Sequence, residues 1–224
     1  MKKGKLVVIE GIDGSGKSTQ FDLLCKRLFE ENITFSRVTF PRYDSDSAVM
    51  LKSYLSGKFG TQPGAVNPYA ASTFFAVDRY ASYFEDWGGF YEGGGLVLTD
   101  RYTTSNAIHQ GAKLGGAERE RFFKWLYEYE FELLALPGPD LVLYLNIDFG
   151  HAVARISKRQ AETGAGKDIH EDDASYLEKC ADCGKRAAEY FNWKKIDCFN
   201  DFGQRSVTDI HEEIYAEVKR CLHR

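Results

Sequence analysis

The segment GIDGSGKS, from Gly11 to Ser18, carries the residue types that chemistry on a polyanion requires. Its spacing fits G-x-x-x-x-G-K-[ST], in which glycines let backbone N–H groups turn inward around phosphate oxygens. Lys17 can reach the terminal phosphates of a nucleoside triphosphate, and the Ser18 hydroxyl can bind Mg²⁺. The apolar run Leu6–Ile9 precedes the segment and a helical pattern follows it, so the anion would meet a helix N-terminus. A nucleoside triphosphate with Mg²⁺ is therefore the predicted ligand.

A carboxylate and a guanidinium follow the apolar run Gly95–Thr99 in the segment GLVLTDRYTTS. Ligands of open α/β sheets collect at the carboxyl ends of the strands. There Asp100 could hold the water shell of magnesium, and Arg101 could clamp a second phosphate with two hydrogen bonds. The alternative is an ion pair on the surface, because such pairs are common and weak.

The segment NPYAASTFFAVDRYASYF is typical of a helix, and it places Phe75 and Arg79 four residues apart on one face. An aromatic ring beside a guanidinium suits a nucleoside monophosphate, since the ring can stack on the base while arginine takes the phosphate. An aromatic stripe at helical spacing is also the ordinary signature of a core-facing helix. Both interpretations stand at this point.

Four cationic residues lie close together late in the chain: Arg155, Lys158, Arg159 and, further on, Lys167. They end one predicted helix and continue into a polar, glycine-bearing segment at about 160–172. A loop that closes over a triphosphate and brings cations to the transferring phosphoryl group would have this composition. The alternative is a solvated basic face near a helix C-terminus, which the helix dipole favours.

The five cysteines are an odd, scattered set without a disulfide framework, which indicates a reducing compartment and hence the cytosol. Cys180 and Cys183 form C-x-x-C, but no second pair completes the four ligands of a closed zinc site. We therefore expect them to share one face of a helix. The formal net charge of −4 argues against general nucleic-acid binding. No apolar run approaches the length of a membrane span, and the start MKKGKLVVIEG is predicted to be a first strand rather than a signal peptide.

Short β-rich runs alternate with longer amphipathic segments along the whole chain. The predicted strands are Leu6–Ile9, Phe35–Thr39, Gly95–Thr99, Leu141–Leu145 and Lys195–Cys198. The predicted helices lie near 19–31, 69–86, 118–135, 149–163, 173–193 and 207–222. Strands separated by helices predict right-handed crossovers, and so an α/β fold in which a five-stranded parallel sheet carries helices on both faces. We expect one domain, 1–224, with a mobile lid at about 155–172.

Together these segments resemble the thymidylate kinases, P-loop enzymes that phosphorylate dTMP. The likeness covers nearly the whole chain and rests on EGIDGSGKSTQ, FPRYDS, FFAVDRY, DRYTTS, the basic segment with DIHE, and NDFGQRS before the last helix. The resemblance implies transfer of the γ-phosphoryl group of Mg-ATP to dTMP. It also implies a homodimer.

The resemblance also implies roles for individual residues. Asp13 would contact the 3′-hydroxyl of the monophosphate, Phe75 would stack on thymine, and Arg79 would touch the base and the phosphate environment. Arg101 would bind the phosphate and assist transfer.

The expected catalytic residues are Lys17, Arg101, Asp13, Arg155 and Arg159. The expected ATP contacts are Gly11, Asp13, Gly14, Ser15, Gly16, Lys17, Ser18, Thr19 and Arg155. The expected substrate contacts are Asp13, Phe40, Pro41, Arg42, Phe75, Arg79, Arg101, Ser105, Asn106 and Gln110. Ser18 and Asp100 are the expected metal site.

Two positions depart from the family pattern. An arginine that holds the substrate phosphate often follows F-P closely, whereas here Arg42 follows directly and Tyr43 comes next, so that role can be displaced by one residue. Some members carry a catalytic arginine where this chain has Gly14. That groups the chain with members whose lid supplies the cation.

Three other activities are alternatives to this prediction. A deoxynucleoside kinase would need a carboxylate base, for which Glu10 is the candidate. An adenylate-kinase-like specificity normally shows a proline in the phosphate loop, which is absent here. A regulatory GTPase should show N-K-x-D, which NWKKIDCF does not match, while D-x-x-G at Asp86–Gly89 lies in a predicted helix end. His109 could line the substrate pocket or lie on a helix surface.

Overall fold

A computed structural model describes residues 3–163 and 174–223, and the side chains of 3–157 and 175–223. Its centre is a five-stranded parallel sheet with the strand order β2-β3-β1-β4-β5. The strands are β1 (Lys5–Glu10), β2 (Phe35–Val38), β3 (Leu96–Thr99), β4 (Leu141–Asn146) and β5 (Lys194–Asp197). The predicted parallel sheet is confirmed, and each predicted strand end lies within one residue of the observed one.

Helices connect the strands and cover the sheet. They are α1 (Lys17–Glu30), α2 (Val49–Leu55), α3 (Pro68–Ser82), α4 (Gly88–Glu92), α5 (Thr103–His109), α6 (Gly116–Tyr127), α7 (Phe149–Thr163), α8 (Ala174–Tyr190) and α9 (Val207–Leu222). A short hairpin, β6 (Phe199–Asn200) and β7 (Gly203–Gln204), lies between β5 and α9.

The core forms because the central strands are apolar on both faces. Leu6 and Val7 point to opposite sides of β1, and both are buried. On α1 the residues that repeat at helical spacing, Phe21, Leu24 and Leu28, are buried against the sheet. This two-sided burial is what a parallel sheet with helical crossovers requires, and it leaves the carboxyl ends of the strands to form the site.

Two predicted helices are interrupted where the structure has wider, π-helical turns. The predicted helix at 69–86 ends as α3 at Ser82, and Tyr83–Trp87 forms a π turn that leads into α4. Gly88 permits this turn, because a Cβ there would lie 2.4 Å from the Tyr83 carbonyl oxygen. The predicted helix at 118–135 likewise ends as α6, and Glu128–Leu133 forms a second π turn.

The C-x-x-C pair lies in α8, as predicted for a helix, and both thiols are buried. The Cys183 thiol donates to the Ala107 carbonyl oxygen at 3.4 Å, and Cys180 Sγ lies 3.6 Å from His109 Nδ1. Within 3–163 and 174–223, no cluster of three or more His, Cys, Asp or Glu residues is arranged to hold a metal ion. No described helix is long and apolar enough to cross a membrane.

The predicted lid, about 155–172, lies partly in α7, which continues to Thr163. The predicted irregular segment at 160–172 is therefore wrong for its first residues, whose backbone is helical. Residues 164–173, among them Lys167, lie outside the described residues. The lid and the single domain over 1–224 stay predictions.

Candidate active site

The phosphate loop joins the end of β1 to the start of α1. Gly14 and Gly16 have φ values of +78° and +95°, a left-handed conformation that glycine adopts without steric cost. A Cβ on Gly14 would also lie 2.3 Å from the Ala152 carbonyl oxygen. Gly16 caps α1 without any side-chain bond, so the first backbone N–H groups of the helix are available for an anion.

Lys17 folds back over its own loop. Its Nζ donates to the carbonyl oxygens of Gly11 at 2.7 Å and Ile12 at 3.0 Å. Burial, together with the nearby Arg101 charge, lowers the pKa of Lys17 to about 8, although Asp13 and other carboxylates attract its proton. A bound polyphosphate would raise this pKa again, since an adjacent anion favours the charged ammonium.

Asp13 and Arg101 connect two strand ends of the sheet. Arg101 follows β3, and its Nη2 donates to Asp13 Oδ1 at 2.5 Å. Burial opposes ionisation of Asp13, but Arg101, Lys17 and His109 together hold the pKa of its carboxyl well below the usual range. The pair is therefore ionised at neutral pH.

A large cavity of about 450 Å³ opens on one side of this ion pair. Its lining consists of the phosphate loop, the end of β3, one turn of α7 and the segment after the hairpin. The lining residues are Asp13, Gly14, Ser15, Gly16, Lys17, Ser18, Thr19, Gln20, Asp100, Arg101, Arg155, Ile156, Gln204, Arg205, Val207 and Ile210. All the predicted ATP contacts except Gly11 are among them.

The same cavity contains oxygen atoms that fit a hard cation. Asp100 Oδ1 is buried and has no hydrogen-bond partner among the described residues. Ser18, at the start of α1, is exposed and lines the same cavity. A carboxylate and a hydroxyl are ligands that Mg²⁺ accepts directly or through water, so this donor set fits magnesium.

A smaller cavity of about 100 Å³ lies on the other side of the ion pair. Aromatic and polar side chains from the segment after β2, from α3 and from α5 converge on it. The lining residues are Asp13, Phe40, Pro41, Tyr43, Leu55, Phe75, Arg79, Arg101, Tyr102, Ser105, Asn106, His109 and Gln110. Every predicted substrate contact except Arg42 is among them, and Asp13 and Arg101 line both cavities.

Arg42 differs from the expectation. Its guanidinium contacts three carboxylates, with Nε to Asp78 Oδ1 at 3.2 Å and Nη1 to Glu85 and Asp86 at 2.9 and 2.7 Å. It does not line the small cavity, whereas the next residue, Tyr43, does. The π turn after α3 presents Glu85 and Asp86 to this arginine.

Arg79 is buried and already has a strong partner. Its Nε and Nη2 donate to the two carboxylate oxygens of Glu130 at 2.6 and 2.5 Å, and the Thr103 hydroxyl also donates to Glu130. Both members of the pair are almost fully buried. Such a fork fixes the plane of the guanidinium and leaves its remaining N–H groups toward the cavity that Arg79 lines.

Other predicted contacts are held by hydrogen bonds within the protein. Asn106 Nδ2 donates to the Ser72 carbonyl oxygen, and Gln110 Nε2 donates to the Tyr54 hydroxyl, both at 3.3 Å. Gln110 Oε1 is buried without a partner among the described residues. The Ser105 hydroxyl donates to Glu10 at 2.7 Å.

Two further cations line the large cavity besides Lys17 and Arg101. Arg155 in α7 donates weakly to the carbonyl oxygens of Gly14 and Ser15, at 3.4 and 3.3 Å. The side chains of Lys158 and Arg159 lie outside the described residues. Arg205, after the hairpin, was missed by sequence reasoning, although it follows the carboxyl end of β5, where ligands of such sheets collect.

A sequence model of the family described as "Thymidylate kinase" matches residues 9–214. The chain belongs to this family. As a family member it is a kinase that phosphorylates dTMP to dTDP.

Individual relatives agree with the family match. The thymidylate kinase of Mycobacterium tuberculosis is 32% identical over 176 residues, which is 78% of this chain and 81% of that one. The human thymidylate kinase is 27% identical over 216 residues, 95% and 89% of the two chains. The solved thymidylate kinase of Candida albicans has a TM-score of 0.68 at 22% identity over 98% and 94% of the chains, a likeness of fold.

The buried Arg79–Glu130 pair predicts a large stability effect in this kinase. Glu130→Ala leaves the Arg79 charge buried without its partner, and we expect the free energy of unfolding to fall by about 3–5 kcal/mol in urea titrations. Glu30→Ala removes the exposed carboxylate that lies 3.9 Å from Lys26, and this control should change stability little. Equal stability of the two variants would contradict the prediction.

Proposed function

We propose that this kinase takes the γ-phosphoryl group from Mg-ATP in the large cavity and transfers it to dTMP in the small one. The observation that carries the proposal is that the two cavities adjoin and share Asp13 and Arg101. Transfer between two anions needs both of them held in line and their charge neutralised. A shared carboxylate–guanidinium pair between two cavities supports that arrangement.

In this proposal the phosphate loop holds the triphosphate. Backbone N–H groups from Gly14 to Thr19 surround the phosphates, and Lys17 exchanges its two carbonyl contacts for β- and γ-phosphate oxygens. Arg205 lines the part of the cavity beyond the loop and suits the nucleoside portion of ATP. The backbone carbonyl contacts of Lys17 are weaker partners than an anion, so this exchange is favourable.

Ser18 and Asp100 are the residues we propose to hold Mg²⁺. The ion would supply charge neutralisation between the β- and γ-phosphates. The Ser18 hydroxyl would bind the ion, and Asp100 would hold its water shell. The orphaned Asp100 Oδ1 supports the assignment, because a buried oxygen without a partner costs free energy until something fills its place.

The small cavity is proposed to take the monophosphate. Phe75 stacks on thymine, while Arg79, fixed by Glu130, donates to the edge of the base. The other proposed base and sugar contacts are Phe40, Pro41, Ser105, Asn106 and Gln110. Arg101 binds the phosphate of dTMP, and Asp13 accepts a hydrogen bond from the sugar 3′-hydroxyl.

Lys17, Arg101 and a cation from the lid, Arg155 or Arg159, are proposed to neutralise the transferring group. The acceptor is already an ionised phosphate, so no general base is needed. The deoxynucleoside kinase alternative would use Glu10 as that base. However, Glu10 is fully buried and accepts hydrogen bonds from the Gly11 amide, Thr104 and Ser105, which favours a structural role.

The direct test is ADP formation by the purified enzyme with Mg-ATP and a panel of acceptors: dTMP, dUMP, AMP, GMP, CMP and thymidine. The proposal predicts the highest kcat/KM with dTMP and turnover that requires Mg²⁺. Faster phosphorylation of thymidine than of dTMP would contradict it and would return Glu10 to the role of base.

Phe75→Ala should raise the KM for dTMP by about tenfold, because stacking of a base on an aromatic ring is worth about 1–3 kcal/mol. The KM for ATP should change by no more than about twofold, since Phe75 lines only the small cavity. Phe74→Ala is the matched control: Phe74 packs on Tyr54 and Phe59 and lines neither cavity. Equal increases in both KM values would place Phe75 in the core alone.

We also propose a homodimer that buries one face of α3 and its π turn. Val77, Tyr80 and Phe84 lie at helical spacing on that face and are 50%, 42% and 68% exposed. Phe84→Glu should convert the dimer to a monomer in sedimentation equilibrium. Phe29→Glu, on exposed α1 surface, should leave it dimeric. A monomeric wild-type protein would contradict the proposal.

The cytosolic location stays a prediction.

A further inference from the structure

His109 occupies the inner wall of the small cavity, at the last residue of α5. Its backbone carbonyl oxygen accepts a hydrogen bond from the Tyr176 hydroxyl of α8 at 2.5 Å. Its ring lies between Cys180 of α8 and Arg101 of the ion pair. The backbone and the ring are therefore both held, and the imidazole touches the group proposed to bind the acceptor phosphate.

The contacts of the ring determine which nitrogen carries the proton. His109 Nε2 lies 3.4 Å from Arg101 Nη1. A guanidinium has only N–H donors, so Nε2 must offer its lone pair in this contact. The proton of the neutral ring is then on Nδ1, which lies 3.6 Å from Cys180 Sγ, a weak acceptor.

Arg101 thus has two acceptors of different kinds on its two terminal nitrogens. Nη2 donates to Asp13, and Nη1 faces the imidazole. The carboxylate alone would leave the guanidinium free to rotate about this single contact. A second acceptor at the other nitrogen fixes its plane and directs its remaining N–H groups.

We propose that His109 is a positioning residue for phosphoryl transfer: its neutral imidazole orients Arg101 toward the acceptor phosphate, and protonation of the ring releases that orientation. The inference rests on the proposed assignment of the small cavity to dTMP. It adds a pH-dependent control of Arg101 to that assignment.

Charged and titratable groups from several elements lie around the ring. Asp13 attracts a proton to the imidazole, whereas Arg101 opposes it. On the α8 side, burial raises the pKa values of the Cys180 thiol and the Tyr176 phenol far above their ordinary values, so both stay neutral.

Lys113 and Tyr54 lie beyond these two α8 residues. Lys113, just beyond α5, donates to the Tyr54 hydroxyl at 3.0 Å. Burial lowers the pKa of Lys113 to about 8, and the charge of this lysine acts on Cys180.

Protonation of Nε2 would replace an acceptor by a donor that faces Arg101. Two cations would then lie in contact, and Arg101 could not keep both its orientation and its bond to Asp13. Turnover should therefore fall as the pH decreases through the range in which imidazoles ordinarily titrate, near pH 6.5. A neutral side chain with an acceptor at the same place would not show this fall.

His109→Gln and His109→Leu separate orientation from packing. The glutamine amide oxygen can reach the place of Nε2 and does not titrate, whereas leucine fills space without an acceptor. At about pH 8, kcat of H109Q should lie within about threefold of wild type, and kcat of H109L should be about tenfold lower, the cost of losing an acceptor for a charged donor.

The pH profile is the deciding readout. With both substrates saturating, the ratio of kcat for H109Q to kcat for wild type should rise about fivefold or more between about pH 8 and about pH 5.5. Titration of the nucleotide phosphates affects both enzymes alike, so it cancels in the ratio. His223→Gln, at the exposed end of α9, should keep the wild-type profile.

Parallel pH profiles of wild type and H109Q, or full activity of H109L at about pH 8, would overturn the inference while leaving the dTMP kinase assignment intact. If H109L does not fold, the comparison of H109Q with wild type decides alone. Absence of dTMP-dependent ADP formation by the wild type would overturn the proposed function and this inference together.

Discussion

The ion pair between Asp13 and Arg101 is the constraint on which the site depends. It joins the phosphate loop to the end of β3 and forms the wall between two cavities of unequal size. Neither residue has its partner nearby in sequence, so only the parallel order of β3 beside β1 brings them together. The sheet therefore sets the distance between the donor and acceptor positions of the proposed reaction.

Burial makes this arrangement responsive to anions. Lys17 is held by carbonyl oxygens and carries a lowered pKa, while Asp13 stays ionised because cations surround it. A triphosphate would add negative charge beside Lys17, and a monophosphate would add it beside Arg101. The protein thus keeps its cations oriented before the substrates arrive, which lowers the reorganisation needed for transfer.

The sheet and the phosphate loop could be predicted from the sequence, because two-sided burial and the glycine–lysine spacing are local signals. Most of the residues predicted for the small cavity were implied only by the resemblance to the thymidylate kinases. Contacts between residues far apart in the chain could not be predicted from the sequence. Arg42 looks like a phosphate ligand until the π turn brings Glu85 and Asp86 to it, and helical periodicity does not show that turn. The bond of Arg79 to Glu130 spans 51 positions. Arg205 follows a predicted strand end and could have been found by that rule.

The measurement that tests this account most directly is calorimetric titration of dTMP into the wild type and into Arg101→Ala, with folding checked by circular dichroism. The account predicts that the wild type binds dTMP and that the variant binds it about thirtyfold or more weakly, the cost of removing one partner of a buried charged contact. Binding of a non-hydrolysable Mg-ATP analogue should change much less. Equal affinity of both proteins for dTMP would contradict the central claim.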